Sequence, residues 1–357
     1  MFLVIVLLFY GCVESKAPAH EKLDYRKATG RPDSVYRYVN AAIDTMQKYS
    51  INKDKINWDT LRKHALDQSK GAKTYQDAYP IIKYTLQQLK DNHSFFKTPE
   101  QAAAWKEQPK SPLKKGKPSL FKSLMTPGKR PVGIMRDGGI AELYIASFAS
   151  GNISESLNYI RSIQDAIKHL DTQNPKGWII DLSNNYGGNM WPMLAALGPF
   201  LNSGIQGGFW TSAGTFVPWH YNELEVGAGK DVWLNFPRSY QLKNKNLPIG
   251  VFIGPRTASS GEGVIIALKN NPNGKTFGEP TAGLTTANES YKLKDGAELI
   301  LTSAIFTDKN GKLFGGKIVP DVVIQEQWYH VGFQHALMLR EMRKWIKSFH
   351  SAKHASL

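Results

Sequence analysis

Ile249 to Gly254 is an unbroken apolar run of the kind a fully buried strand requires, and helix-like sequence resumes from Glu262 to Lys269. Between them lies the turn Thr257-Ala258-Ser259-Ser260-Gly261-Glu262. At such a junction the Ser259 hydroxyl projects from the turn. The first amides of the following helix have no partner inside it, so they are free to hold a developing anion. This is a setting for acyl transfer. A serine hydroxyl is a poor nucleophile at neutral pH, however, and needs a base within hydrogen-bond reach and donors aimed at the oxyanion. Taken alone, the turn reads equally well as a helix cap. A base and further donors must come from other elements.

The surrounding pattern supplies a second turn of the same type. A strand over Ala141 to Phe148, an amphipathic helix over Ser154 to Leu170 and a strand over Trp178 to Leu182 form a βαβ unit that ends in Ser183-Asn184-Asn185-Tyr186-Gly187-Gly188. The Ser259 turn belongs to another unit, which continues into a short strand near Thr276 to Gly278. Both polar turns therefore lie at the carboxyl ends of strands, where open α/β sheets place their sites. Farther on, Ala297 to Thr307 alternates like a strand, Asp308-Lys309-Asn310-Gly311 reads as a hairpin turn, and Val331 to Phe349 reads as a closing helix. Ahead of this core, Pro32 to Lys48, Trp58 to Gln68 and Tyr75 to Leu89 have helical spacing, with Asp33 or Ser34 and Asn57 as N-cap candidates. Thr98 to Lys129 is rich in Pro, Lys and Gly. The expected organisation is a leader over 1–22, a helical domain over 23–97, a linker or flap over 98–136, an α/β core over 137–330 and a C-terminal helix over 331–357.

Four motifs appear in order. Trp178 to Gly188 resembles the strand and Asp-Leu-Arg-x-Asn-x-Gly-Gly turn of the C-terminal processing (tail-specific) peptidase family, and Thr257 to Glu262 resembles its Ser-Ala-Ser-Ala-Ser-Glu segment. Gly278-Glu279-Pro280-Thr281-Ala282-Gly283 is similar to its Gly-Glu-x-Thr-x-Gly, and Gly316 to Asp321 to its glycine-to-Pro-Asp ending. The family's catalytic lysine follows Thr-x-Gly, whereas this chain has Leu284 there. Leu89-Lys90-Asp91-Asn92-His93-Ser94-Phe95-Phe96 instead resembles the Asp-x-His-Ser-x-Phe motif of the lysine-lacking branch, which includes tricorn-type peptidases and the nisin-resistance protein.

The resemblance implies a ClpP/crotonase-like mixed α/β core with an N-terminal helical domain. Residues 98–136 are too few for the PDZ domain found in many relatives. It further implies that Ser259 is the nucleophile and His93 the general base, imidazole being able to take and return a proton near neutral pH. The oxyanion hole would combine the Ser260 amide with that of Gly187 or Gly188. Glu289 is the candidate for orienting His93, and Asp91 is the alternative. Glu262 is expected to support the nucleophile turn from the first turn of its helix, where a carboxylate suits the dipole. The aromatic segment Phe209 to Tyr221 is a candidate apolar surface for substrate.

The implied activity is a serine endopeptidase acting on extended peptides or protein tails near the carboxyl terminus, with the peptide's main chain held at a strand edge. A non-catalytic ligand-binding descendant of the fold and an esterase are the alternatives. With 357 residues and 41% hydrophobic content the chain can bury a sizeable core. Its net charge of +15 is spread along the sequence, which argues against nucleic acid as a partner and fits an anionic cell envelope. Cys12, the chain's only cysteine, follows the apolar run Phe2 to Tyr10. The arrangement reads as an export signal with a lipobox-like cysteine, hence lipid anchoring at the envelope. Ligand-spaced His, Cys or carboxylate groups are lacking in the sequence, and no metal or cofactor is expected.

Overall fold

Two strands at the centre of the molecule, Gly177–Asp181 and Ile249–Ile253, are buried at every position, so the sheet that contains them must be covered on both faces. The computed structural model describes residues 32–106, 132–324 and 336–355. Along the chain it contains α1 (Pro32–Tyr49), α2 (Trp58–Gln68), α3 (Tyr75–Gln87), β1 (Phe95–Lys97) and α4 (Pro99–Lys106). Next come β2 (Gly133–Arg136), β3 (Ile140–Tyr144), α5 (Ile153–Asp171), β4 (Gly177–Asp181) and α6 (Met190–Ala196). Four strands follow: β5 (Gly204–Thr211), β6 (Phe216–Asn222), β7 (Glu225–Ala228) and β8 (Asp231–Asn235). The remainder is β9 (Ile249–Ile253), α7 (Ser260–Leu268), β10 (Gly274–Gly278), β11 (Thr286–Lys292), β12 (Glu298–Thr307), β13 (Val322–Val323) and α8 (Ala336–Ala355).

A six-stranded sheet has the order β13-β10-β9-β4-β3-β2, parallel except for the β2–β3 hairpin. One face packs on α5, α6 and α7, which contribute Ile160, Ile167, Met193 and Ile265 to the main core. The other face is closed by α8 through Met338, Met342 and Ile346 against Ile179, Phe252 and Phe277. A seven-stranded antiparallel sheet runs β1-β12-β5-β6-β7-β8, with β11 on the other side of β12. Helices α1 and α3 seat Val39, Ile43 and Ile82 on Leu293, Leu299 and Leu301 of that second sheet. Their docking is polar as well, since Tyr38 and Tyr79 donate to the Asp295 carboxylate at 3.0 and 2.6 Å.

The mixed α/β architecture is the expected one. Asn57 does cap α2, accepting from Thr60 N at 3.0 Å, but Asp33 and Ser34 lie inside α1. The stretch 98–136 is not wholly a connector: α4 begins it and β2 ends it, pairing with β3. The leader with Cys12, residues 107–131 and the first part of the closing helix, 331–335, lie outside the described residues. Strands β5 to β8 and β11 went unrecognised in the sequence. The aromatic segment within them is mostly core: Phe209, Trp219 and Tyr221 are buried, and Trp219 packs edge-on against Phe306. These buried rings back α7, while Trp210 is exposed and Phe216 partly buried.

Candidate active site

The turn between β9 and α7 carries a non-glycine residue in an unfavourable backbone region, Ser259 at φ 52° and ψ −121°. Such a conformation costs about 1–3 kcal/mol and persists only where surroundings enforce it. Here they do. Thr257 Oγ1 donates to Leu182 O at 2.9 Å, Ala258 N to Asn185 O at 3.0 Å, and Ser259 N to Glu262 Oε2 at 2.8 Å. The Glu262 carboxylate is buried and also accepts from Thr281 Oγ1, Gly283 N (3.0 Å) and Leu284 N (2.8 Å). Burial raises its pKa, and the hydrogen bonds oppose that shift. Of the two serines, Ser260 is fully buried and its hydroxyl donates to Gly188 O, whereas Ser259 keeps 8% exposure.

The glycine turn after β4 abuts this segment. Gly187 has φ 92°, and a Cβ there would sit 2.7 Å from Ala258 O and 2.9 Å from Ser260 N. A side chain at 187 would therefore displace the serine turn. Gly187 N donates to Asn185 Oδ1 at 2.9 Å, while the Gly188 and Ser260 amides meet no acceptor among the described residues. Asn185 thus ties both turns together through its side chain and its carbonyl. Sequence reasoning passed over it, although it stands in the Asn-x-Gly-Gly signal.

His93 arrives from the helical part of the chain, on the loop between α3 and β1. Asp91 shapes that loop, accepting from His93 N (3.0 Å), Ser94 N (2.7 Å) and Ser94 Oγ (2.6 Å). The ring meets β11: His93 Nδ1 lies 2.7 Å from Thr286 Oγ1, and Asn288 Nδ2 donates to His93 O at 3.0 Å. Burial lowers the imidazole pKa to about 4, with the Asp91 charge pulling the other way. At neutral pH the ring is therefore uncharged and able to accept a proton.

A family model described as peptidase family S41 matches residues 139–324, which include both turns. The chain belongs to peptidase family S41. As an S41 member it is a serine peptidase, and its substrate is a peptide or protein. It is 27% identical over 292 residues to the nisin-resistance protein of Lactococcus lactis subsp. lactis, covering 82% of this chain and 84% of that protein. To the carboxy-terminal processing protease CtpA of Bacillus subtilis it is 26% identical over 178 residues, half of this chain and 33% of the protease. The solved structure of a lipoprotein from Streptococcus agalactiae superposes with a TM-score of 0.66 at 25% identity, covering 88% of this chain and 96% of that one.

Within this S41 fold the expected site residues fall into two groups. Ser259, Ser260, Gly187, Gly188 and Glu262 share one hydrogen-bonded neighbourhood, and His93 with Asp91 is joined to it through β11. Glu289 is engaged elsewhere: its carboxylate accepts from Tyr291 Oη and from Ser303 Oγ at 3.1 Å, and burial raises its pKa. Thr286 occupies the position at the His93 ring that Glu289 was expected to take. It carries no motif signal, and only strand pairing reveals this contact.

Proposed function

We propose that this S41 peptidase is an endopeptidase working through an acyl-enzyme on Ser259, with His93 as general base and Thr286 orienting the base. One observation carries the reading. The segment Leu284 to Thr286 is bonded at one end to the carboxylate that holds the Ser259 amide and at the other to the His93 ring. Nucleophile and base are thereby referred to the same three residues of backbone.

With Nδ1–H donating to Thr286 Oγ1, Nε2 keeps its lone pair. It takes the Ser259 proton as Oγ attacks the scissile carbonyl carbon, and then delivers that proton to the leaving amine. Water repeats the sequence to release the acyl group. The amides of Ser260 and Gly188 face the developing oxyanion, since Gly187 N already serves Asn185. Threonine, unlike a carboxylate, supplies no charge to the imidazolium, and the charge that favours it comes from Asp91 of the same loop. Extended peptides or protein tails cut toward their carboxyl end are the substrate class, in keeping with the processing-protease likeness. The cell envelope is the proposed location. The lipoprotein neighbour, the nisin-resistance relative and Cys12 after an apolar run support it, and no described helix is long and apolar enough to cross a membrane.

Labelling with a fluorophosphonate, followed by peptide mapping, tests the assignment. The label is expected on Ser259. A label on Ser260, or none on an enzyme that cleaves peptides, overturns it.

A further inference from the structure

We propose that the outer edge of β11 is the strip on which the substrate's main chain is held, an inference that rests on Ser259 and His93 being the catalytic pair. β11 pairs with β12 on one side and has no strand on the other among the described residues. The phase of the ladder is fixed by Leu293 N, which donates inward to Ala297 O at 2.7 Å. Tyr291 opposite Leu299 and Glu289 opposite Leu301 share that inward phase. By the two-residue period, the N–H and C=O groups of Ser290 and Lys292 point outward. β12 agrees with this phase. Thr302, opposite Asn288, turns its main chain away from β11, with its amide on Ser94 Oγ (2.9 Å) and its carbonyl on Ile51 N (2.8 Å).

This open edge starts at the catalytic groups. Thr286 and Asn288 both touch His93, and Leu284, two residues upstream of Thr286, shares the Glu262 carboxylate with the Ser259 amide. At ~3.3 Å per residue, Leu284 to Ser290 spans ~20 Å, the length of about six extended residues. One face of the strand is braced, because Tyr291 stacks on Tyr49 of α1 at 4.5 Å. An unpaired strand edge accepts another strand through main-chain bonds that do not depend on sequence. The ligand class is therefore an extended, unbranched polypeptide segment, with selectivity left to its side chains. The competing account of the edge is passive protection, in which the register shift at Ala287/Asn288 and the exposed Lys292 keep other strands away.

The test uses the full chain and one cleavable peptide, prepared as a series N-methylated at a single amide each. Kinetics are expected to show losses of about 10-fold in kcat/KM at alternate positions on one side of the scissile bond, with little effect at the positions between. Ser290→Pro removes one outward donor and is expected to raise KM about 10-fold while Tm changes little, since an edge position tolerates proline. A flat N-methylation profile on enzyme whose Ser259 labels normally overturns the strip and leaves the catalytic reading intact. Failure of Ser259 to label overturns the catalytic reading itself. If Ser290→Pro lowers Tm, the N-methylation profile alone decides.

Discussion

The proposed nucleophile and the proposed base are held by opposite means. Ser259 stands on the wall of a parallel sheet, ahead of a helix buried along its whole length and above a carboxylate with four donors. Its strained backbone is fixed by the core itself. His93 is carried by a short loop of the helical section, partly buried, and placed by hydrogen bonds to Thr286, Asn288 and Asp91. The position of Ser259 is thus inherent in the folded core, whereas that of His93 depends on α1 and α3 docking onto the second sheet.

The sharpest test of that contrast is the proposed catalytic pair. Ser259→Ala is expected to abolish peptidase activity, His93→Ala to cost about 10²–10⁴-fold in kcat, and the double variant to be no worse than Ser259→Ala. Additive losses would show that the two do not act as one unit. Next in size is Gly187→Ala, whose Cβ meets the main chain of Ala258 and Ser260 at 2.7 and 2.9 Å. A loss of about 100-fold in kcat is expected with a smaller change in KM, because a displacement of about 1 Å at reacting atoms costs that much. Retained activity would mean that the glycine turn does not set the position of Ser259.

On the base side, Thr286→Val leaves the His93 Nδ1–H without an acceptor, and a loss of about 10-fold in kcat is expected. Thr286→Ser should restore most of it, and a Glu289→Gln variant should leave the pH–rate profile close to that of the parent. If the glutamine variant instead shifts the acid limb strongly, Glu289 engages His93 during turnover. The smallest effect is on stability. Between pH ~6.5 and about 4 the unfolded chain binds a proton at His93 that the folded chain refuses, so stability falls as pH drops through that window. Solvent access to the ring limits the loss to about 1–3 kcal/mol, readable by denaturant unfolding at pH 7 and pH 4.5. His93→Gln should lose that pH dependence, and a parent chain without it would contradict a buried neutral imidazole.

Much of the candidate site was legible because its geometry is local. A buried strand, a polar turn and a helix within twenty residues place Ser259, Ser260 and Glu262 together by covalent geometry alone, and the Asn185 to Gly188 turn ends a neighbouring strand of the same kind. Runs such as Trp178 to Leu182 are apolar at every position because both faces of a parallel sheet are covered, so the α/β core could be read without coordinates. Strands β5 to β8 could not. They place aromatic, glycine and polar residues in short segments broken by register shifts, and neither period persists long enough to identify them.

The partner of His93 lay further out of reach. Glu289 has the chemical character of a triad member, but alternation along β11 turns its side chain to Tyr291 and Ser303, while Thr286 meets the imidazole across 193 positions of sequence. The sequence by itself determined which residues can attack, accept a proton and bend sharply, because those are properties of side chains and short turns. Only the tertiary structure decided which strand the histidine loop lies against, which amide of the glycine pair is left open and which strand edge stays unpaired. Those outcomes depend on register between distant segments, and a shift of one residue exchanges the groups that face the site.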